Sequence, residues 1–347
     1  MIKFILRKMP IMALLLGVVV SPLLAQTYDP ETFKAMKYRF IGPEGNRAIA
    51  IVGEPGNPMV NYIGAASGGL WKTEDGGVTW KSIFDGQEVS SVGSIALAPT
   101  DPTNVWVGTG ETFIIRPAHS VGNGIYLSQD AGKTWKNMGL EKTGRIGRVV
   151  VHPKNKNIIY AAALGHVYGP QQERGVYRTK DGGKTWERVL FVDEGTGAAD
   201  LAIDPQNPNI LYAAMWTIHI NTWGLRSGGP GGGIYRSTDG GDTWEPLNTK
   251  GLPGGKDHIV GKTAVAIAQS NPKRVYALFE DKSPALYRTD DGGEHWELVS
   301  NNHDMAERAP YYTRMTVSTD NPDEIYFMSV RFSQSLDGGK TLEKRPP

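Results

Sequence analysis

Residues 179–186 read TKDGGKTW, and five other stretches of the chain repeat this pattern. The other copies are TEDGGVTW at 73–80, SQDAGKTW at 128–135, STDGGDTW at 237–244, TDDGGEHW at 289–296 and SLDGGKTL at 335–342. Their common frame is Ser/Thr-x-Asp-x-Gly-x-Thr-Trp, and successive aspartates lie 55, 51, 58, 52 and 46 residues apart. A period near fifty residues is typical of a repeat architecture.

Each repeat has the same internal plan, which the third copy illustrates. An apolar stretch (RVVV at 148–151) precedes a turn rich in Pro and Asn (HPKN at 152–155). A strand carrying Tyr160 follows, and a third strand (VYR at 176–178) leads into the motif. Four antiparallel strands in about fifty residues form one blade of a β-propeller. The sequence therefore predicts an all-β fold, a propeller with six visible blades, whose strands we name A to D from the axis outwards.

The motif aspartates are predicted to be structural. An aspartate in a tight turn accepts backbone N–H bonds, and a Ser or Thr hydroxyl adds another. Six equivalent carboxylates at six equivalent outer turns cannot converge on one ligand, and the spacing of a calcium-binding loop is missing. These structural residues are Asp75, Asp130, Asp181, Asp239, Asp291 and Asp337.

The N-terminus predicts export. Lys3, Arg7 and Lys8 precede the apolar run IMALLLGVVV at 11–20, and Ala25 ends a plausible cleavage site. This arrangement is typical of a secretory signal peptide at residues 1–25. A membrane anchor is the alternative, but a span needs ~20 apolar residues. We expect a periplasmic or extracellular protein without a membrane span after cleavage.

Composition excludes several classes of protein. The net charge of +1 does not suit a nucleic-acid partner. The chain has no cysteine, which excludes disulfides and thiolate metal sites. His119, His166 and His219 lack a dense metal-ligand motif. We therefore expect neither a metal nor a cofactor.

The repeat resembles the Asp-box, or bacterial neuraminidase repeat, of sialidases, two-propeller xyloglucanases, sortilin receptors and a photosystem II assembly factor. The stretches that carry this resemblance include GAASGGLWKTEDGGVTW at 64–80 and SGGPGGGIYRSTDGG at 227–241. They are also similar to large secreted bacterial proteins described as sortilin-like or glycosyl-hydrolase-like. Such proteins usually run much longer, so the resemblance implies that the propeller at 38–347 is an N-terminal portion of a longer protein.

Two family sites fit the sequence poorly. The stretch YRFIGP at 38–43 is near the Arg-Ile-Pro motif of sialidases, but other residues interrupt the motif here. Residues 38–42 are a predicted strand and follow a polar lead-in at 26–37. No clear arginine triad follows it. In xyloglucanases the catalytic aspartates lie one in each of two propellers, and this chain has repeats for one propeller.

Loop lengths point to one face of the propeller. The Asp motifs, in the C–D turns, share a face with the A–B turns, so the B–C loops emerge on the opposite face. Those loops are long in three neighbouring blades, at 108–124, 164–175 and 215–233. Long loops frequently carry function. We expect a ligand-binding cleft there, formed by Arg116, His119, His166, Tyr168, Arg174, Trp216, His219, Trp223 and Arg226.

Three acidic residues are the candidates for catalysis. Glycoside hydrolysis usually needs two carboxyl groups, for which Glu111 and Glu173 are the predicted pair. Asp200 begins an inner strand near the channel mouth, where burial would perturb its pKa. The alternative is that the glutamates and arginines pair locally to order the loops, with the Trp rings capping the blades.

Three functions remain open at this point. The first is an exported binding module whose loop face, with Trp216 and Trp223 as stacking platforms, recognises a peptide or a glycan. The second is a glycoside hydrolase of the xyloglucanase type with its acids on the same face. The third is an assembly scaffold that holds a partner by its blade edges. The sequence does not give the oligomeric state.

Overall fold

A computed structural model describes residues 29, 31, 47–114, 116 and 119–344. The chain divides into two compact units, Met1–Gly45 and Asn46–Pro347, and the propeller lies in the second. The predicted signal peptide and the strand predicted at 38–42 fall outside the described residues, so both stay predictions. No helix in the described part of the chain is long and apolar enough to cross a membrane.

The first three blades take up the strands before residue 191. Blade 1 comprises β1 (Ala48–Glu54), β2 (Asn57–Ala65), β3 (Leu70–Thr73) and β4 (Lys81–Ser82). Blade 2 comprises β5 (Val92–Ala98), β6 (Asp101–Thr109), β7 (Ile125–Ser128) and β8 (Lys136–Asn137). Blade 3 comprises β9 (Ile146–Val151), β10 (Ile159–Ala163), β11 (Gly175–Thr179) and β12 (Glu187–Leu190).

The remaining three blades repeat this order. Blade 4 comprises β13 (Thr196–Ile203), β14 (Leu211–Ile220), β15 (Leu225–Ser227), β16 (Gly233–Ser237) and β17 (Glu245–Pro246). Blade 5 comprises β18 (Thr263–Ile267), β19 (Val275–Phe279), β20 (Ala285–Thr289) and β21 (Glu297–Ser300). Blade 6 comprises β22 (Met315–Val317), β23 (Ile325–Met328), β24 (Phe332–Ser335) and β25 (Glu343–Lys344).

The six sheets confirm the predicted fold class. Each sheet runs in the order A-B-C-D with antiparallel pairing, and blade 4 alone adds a short strand, β15, that extends its B–C loop. Between residues 47 and 344, helix in the described residues is limited to α1 (Ala309–Tyr312) and to 3-10 turns at Glu141–Thr143, Leu247–Lys250 and His303–Ala306. The core lies between neighbouring blades, where alternate side chains of facing sheets pack together.

The repeated motif closes each C–D turn through its own side chains. Asp181 accepts the backbone N–H of Thr185 at 3.0 Å, its hydroxyl at 2.7 Å and the hydroxyl of Thr179 at 2.8 Å. Gly182 has a φ of 74°, which a residue with a Cβ rarely adopts. In the first copy the equivalent bonds lower the pKa of Asp75 to about 2, and the bond from the Thr79 hydroxyl has the largest effect.

Candidate functional site

The long loop of blade 2 turns inward and covers the loop-face end of the channel. Thr112 and Phe113 are buried, and Ile114 packs against Trp216 of blade 4 in one apolar cluster. The Phe113 ring also lies edge-on to the ring of Tyr311, 5.7 Å away, in the segment before blade 6. The loop therefore links blade 2 to blade 4 and to the segment before blade 6.

Lys262 lies beneath this loop, one residue before the inner strand of blade 5. Its ammonium donates to the carbonyl of Thr112 at 3.3 Å and to that of Tyr311 at 3.1 Å. The same nitrogen lies over the rings of Phe113 and Trp216, at 4.8 and 5.3 Å from their centroids. Complete burial, helped by the charge of Arg314, lowers the pKa of Lys262 to about 7.

Three carboxylates act in the opposite direction and raise the pKa of Lys262, those of Glu280, Asp200 and Glu111. Asp200 is fully buried, and its Oδ1 accepts from Nε of Arg148 at 2.6 Å and from the backbone of Leu201 at 3.0 Å. Burial acts to raise the pKa of Asp200, but the charges of Arg148 and Arg314 outweigh burial, so the pKa is lowered. Asp200 is therefore held ionised, which suits a structural counter-ion better than a proton donor.

Glu111 is also an internal, paired carboxylate. Its Oε1 lies 2.8 Å from Nη1 of Arg47, and its Oε2 lies 2.8 Å from Nδ1 of His119. The Glu111 side chain is 2% exposed, whereas that of Arg47 is 48% exposed. The pair thus orders the start of the blade 2 loop. This contact agrees with the alternative that glutamates and arginines pair to order the loops.

Glu173 lies apart from these groups. It is partly buried, and burial together with the nearby Glu173 charge raises the pKa of the Tyr177 phenol on β11. Among the described residues, no hydrogen bond or ion pair joins Glu173 to Glu111 or Asp200. The predicted pairing of Glu111 with Glu173 therefore gains no support from these contacts.

Arg145, one residue before the inner strand of blade 3, ties the blade 2 loop to the blade 3 loop. Its guanidinium is fully buried and donates to the carbonyls of Glu111 (2.9 Å), His119 (3.0 Å) and His166 (2.6 Å). It also donates to the Tyr168 hydroxyl at 3.2 Å. One buried cation thus satisfies three loop carbonyls, those of Glu111 and His119 in buried hydrogen bonds and that of His166 in a part-buried one.

Arg174, a predicted ligand-binding residue, does the same between blades 3 and 4. Its Nη1 donates to the carbonyl of Gly195 at 2.7 Å, and its Nη2 donates to that of Gly169 at 3.1 Å. Both nitrogens also approach the carbonyl of Ile218. The side chain is completely buried, so its guanidinium serves the loop backbone in this structure rather than a bound ligand.

The two predicted stacking residues have different environments. Trp216 is completely buried and donates its indole N–H to Ser227 Oγ at 2.9 Å. Trp223 is 88% exposed at the tip of the blade 4 loop. Only Trp223 therefore has the exposure that a stacking platform needs.

The remaining predicted binding residues surround this face. His219 is exposed, and its Nε2 lies 2.9 Å from the carbonyl oxygen of Tyr168. The residue Tyr168 is 42% exposed. His166 is partly buried, whereas Arg116 and Arg226 are exposed. No group of three or more His, Asp or Glu residues in the described part of the chain is arranged to hold a metal ion.

Glu280 is a carboxylate that the sequence interpretation did not single out. It follows β19 directly, and its Oε2 accepts from Ser227 Oγ at 2.7 Å and from the backbone of Lys262 at 2.6 Å. Burial raises the pKa of Glu280. A Cβ on Gly261 would lie 2.2 Å from Glu280 Oε2, so the glycine is needed for this approach. The sequence held a signal for its neighbour Lys262, because Gly–Lys at 261–262 repeats, before an inner strand, the Gly–Arg at 144–145.

Two models of known protein families match parts of this chain. The family model described as BNR/Asp-box repeat matches residues 235–246, which contain the fourth motif. The chain is an Asp-box β-propeller. A second model, described as Sortilin-Vps10 (Sortilin, neurotensin receptor 3), matches residues 123–224.

Curated relatives of this Asp-box propeller include two xyloglucanases. The Hypocrea jecorina xyloglucanase is 26% identical over 339 residues, covering 83% of this chain and 38% of the relative. Xyloglucanase Xgh74A of Acetivibrio thermocellus is 27% identical over 346 residues, covering 87% of this chain and 38% of the relative. The propeller thus spans well under half of the length of these relatives.

Solved structures show the same fold at low identity. An ancestral GH74 enzyme superposes with a TM-score of 0.61 at 18% identity, covering 86% of this chain and 38% of that one. YCF48 bound to D1 peptide superposes with a TM-score of 0.53 at 17% identity, covering 86% and 81%. At these identities the likeness concerns the fold alone.

Replacing the buried guanidinium of Arg145 tests its role in loop order. We expect Arg145→Ala to lower the free energy of unfolding by about 3 kcal/mol, because three loop carbonyls, two of them in buried hydrogen bonds, lose their donor. Urea unfolding measures this loss, and amide hydrogen exchange should quicken at 111–114 and 164–168. The control Arg116→Ala removes an exposed arginine from the same loop and should change stability by less than about 0.5 kcal/mol. Equal stability of the two variants would contradict the assignment.

Lys262 predicts a distinct pH dependence. Its pKa of about 7 in the folded state lies below the ordinary lysine value of 10.5, so between these values the unfolded chain binds more protons. The stability of the wild type should therefore rise, relative to Lys262→Met, as the pH increases from 7 to 10. Urea unfolding across this range provides the measurement. Lys256→Met, at an exposed position, is the control, and parallel stability curves for wild type and Lys262→Met would refute the prediction.

Proposed function

We propose that this propeller acts on a glycan as one part of a glycoside hydrolase, with the loop face of blades 2 to 5 towards the polysaccharide. The observation that carries the proposal is the extent of the similarity to xyloglucanases. It covers 83% and 87% of the chain in the two relatives described, so it extends through the blades and loops rather than one motif. The same long loops bring Trp223 to the surface and enclose the carboxylates around Lys262.

The chemistry of the carboxylates favours Glu280 as the proton donor. A general acid must be protonated near the working pH, and burial raises the pKa of Glu280 in that direction. Its hydrogen bonds from Ser227 and Lys262 fix one carboxyl oxygen, which orients the other. Glu111, whose Oε1 lies 2.8 Å from Nη1 of Arg47, would be the second carboxyl group that glycoside hydrolysis usually needs.

A binding module without hydrolytic activity is the second candidate. The Sortilin-Vps10 match at 123–224 covers the long loop of blade 3 and part of that of blade 4. Those loops are held by Arg145 and Arg174 through buried bonds, as a preformed binding surface requires. Its ligand would be a glycan or a peptide bound at the exposed Trp223, Arg226 and His219.

Hydrolysis of xyloglucan separates these candidates. We expect the protein, produced from its complete reading frame, to release reducing ends from xyloglucan. Glu280→Gln should lower kcat by about 100-fold or more and remove the alkaline limb of the pH profile, since the proton donor is lost. Glu297→Gln, at an exposed ion pair with Arg288 on the outer strand of blade 5, is the control and should keep full activity.

The outcomes of that experiment are distinct. Binding of xyloglucan without release of reducing ends by the wild type would favour the binding module. Neither binding nor release, for xyloglucan and for other β-glucans, would refute a glycan function. Full activity of Glu280→Gln would refute the assigned proton donor while leaving the glycan function in place.

Trp223 tests the position of the glycan on the loop face. We expect Trp223→Ala to weaken glycan binding about tenfold, because an exposed ring that stacks on a sugar contributes above 1 kcal/mol. Affinity electrophoresis in gels containing xyloglucan measures the change. Trp223→Phe retains an aromatic face and is the matched control, for which most of the affinity should remain. An unchanged affinity of Trp223→Ala would place the glycan elsewhere.

A further inference from the structure

Near the Asp-box face, which carries the six C–D turns with the repeated motif, each blade has one aromatic residue on strand B that pairs with a residue on strand C. In five blades this aromatic residue is a tyrosine, whereas in blade 2 it is Trp106. The pairs are Tyr62 with Lys72, Trp106 with Leu127, Tyr160 with Arg178, Tyr212 with Arg236, Tyr276 with Arg288, and Tyr326 with Gln334. Blade 2 thus combines a different aromatic residue with an apolar partner, where the other five blades have a polar one.

In blade 3 the equivalent pair bonds the motif turn of the following blade. The Tyr160 hydroxyl donates to the carbonyl of Gly240 at 2.7 Å. Arg178 donates to the same carbonyl and, at 2.6 Å, to the carboxylate of Asp242. The tyrosine and arginine of blade 4 make the same contacts with the motif turn of blade 5. In both interfaces a turn carbonyl, a cation and a carboxylate therefore satisfy one another.

The interface between blades 2 and 3 lacks these bonds. Trp106 is 1% exposed, and its indole N–H has no acceptor in the part of the chain that the structure describes. Leu127 has no donor to offer, and Lys184 occupies the motif position at which blade 4 has Asp242. Since a buried donor without an acceptor is destabilising, a ligand that brings an acceptor to Trp106 would stabilise this interface.

A pocket of about 330 Å³ lies at this same interface. Small-molecule sites commonly measure ~300–1,000 Å³, so the pocket is at the lower end of that range and suits a small group. Trp106 and Leu127 line it together with three amide side chains, those of Asn104, Gln129 and Asn157. Asn104 is buried, whereas Gln129 and Asn157 are exposed. The lining thus joins a buried aromatic residue to amide groups that a ligand can reach.

The charges around the pocket are of both signs and partly paired. Lys156 and Lys184 line it, and the ammonium of Lys156 lies 2.8 Å from the carboxylate of Asp101. Asp181 also lines it, and its carboxylate already accepts the bonds of its own turn. This balance favours a neutral ligand over an anion. Hydroxyl groups match such a lining, because each can accept from an N–H and donate to a carbonyl or amide oxygen.

We propose that this pocket binds one sugar unit of a neutral glycan, at a second site on the face opposite the long loops. Sugar hydroxyls would accept from the indole of Trp106 and the ammonium of Lys184, and would donate to the amide oxygens of Gln129 and Asn157. The existence of the pocket is independent of the function proposed above. The choice of a glycan among hydroxyl-bearing ligands rests on that function.

The indole N–H of Trp106 is a direct reporter for this pocket. In the protein expressed from its complete reading frame with ¹⁵N-labelled tryptophan, its NMR signal is identified by its loss in Trp106→Phe. Glucose, xylose, galactose and cellobiose are the probes, and at least one should shift this signal in a saturable manner. No shift with any of the four would overturn the proposal, and so would a shift with glucuronate alone.

The indole signal of Trp223 separates the two faces in the same titrations. Shifts at both indoles would support a site on each face. A shift at Trp223 alone would overturn the pocket and leave the glycan site of the loop face in place. A shift at Trp106 alone would support the pocket and count against the position assigned to the glycan on the loop face.

Two variants test the lining while keeping the Trp106 reporter. Leu127→Arg combined with Lys184→Asp rebuilds the arginine–carboxylate contact found between blades 3 and 4, and the response of Trp106 to the sugars should be lost. Thermal unfolding checks that this double variant folds. Lys184→Ala changes only an exposed side chain and should weaken binding about fivefold, because one hydrogen bond is lost.

Lys133→Ala is the matched control, since Lys133 holds the same motif position in blade 2 and does not line the pocket. It should bind the sugars as the wild type does. Equal affinities of Lys184→Ala and Lys133→Ala would overturn the proposal. A folded double variant whose Trp106 signal still responds to the sugars would overturn it as well.

Discussion

The carboxylate at the centre of each C–D turn is the interaction on which the fold depends. In every copy it accepts the hydroxyl of the Ser or Thr two residues earlier and the backbone N–H four residues later. These bonds fix the chain reversal within the turn itself, and tyrosines of a preceding blade, such as Tyr160 and Tyr212, add bonds to the turn glycines Gly240 and Gly292. Because the turn is the same six times, strands C and D meet in the same register, and the interfaces between blades repeat.

This local origin explains why the fold was predictable from the sequence. Turn chemistry and strand alternation are short-range signals, so the blades and the three long loops were correctly located. The direction in which a loop folds is a long-range property. Lys262 holds the carbonyl of Thr112 across 150 residues of sequence, and no local pattern encodes that contact. The environment of Trp216 was missed because β14 continues through Ile220, so that the ring lies within a strand instead of a flexible loop.

Burial of charge decides which of the acidic residues remain available for chemistry. An ion removed from water is costly unless it is paired and hydrogen-bonded, and Asp200 satisfies that requirement with Arg148. Such pairs hold a structure in one arrangement. Glu280 differs, since burial raises its pKa and outweighs both its hydrogen bonds from Ser227 and Lys262 and the charge of Lys262. The raised pKa favours the protonated form, so the candidate chemistry moves to a residue without a motif of its own.

Arg47 connects blade 1 to the residues of the loop-face site. This residue begins the described part of blade 1, is half exposed, and reaches both Glu111 and the ring of Tyr311. Tyr311 in turn offers its carbonyl to Lys262. An ion pair strengthens as its surroundings become less polar, and the Glu111 side chain of this pair is buried. The position of Glu111, and with it any role in glycan chemistry, therefore depends on how Arg47 meets Tyr311 as well as on the loop of blade 2.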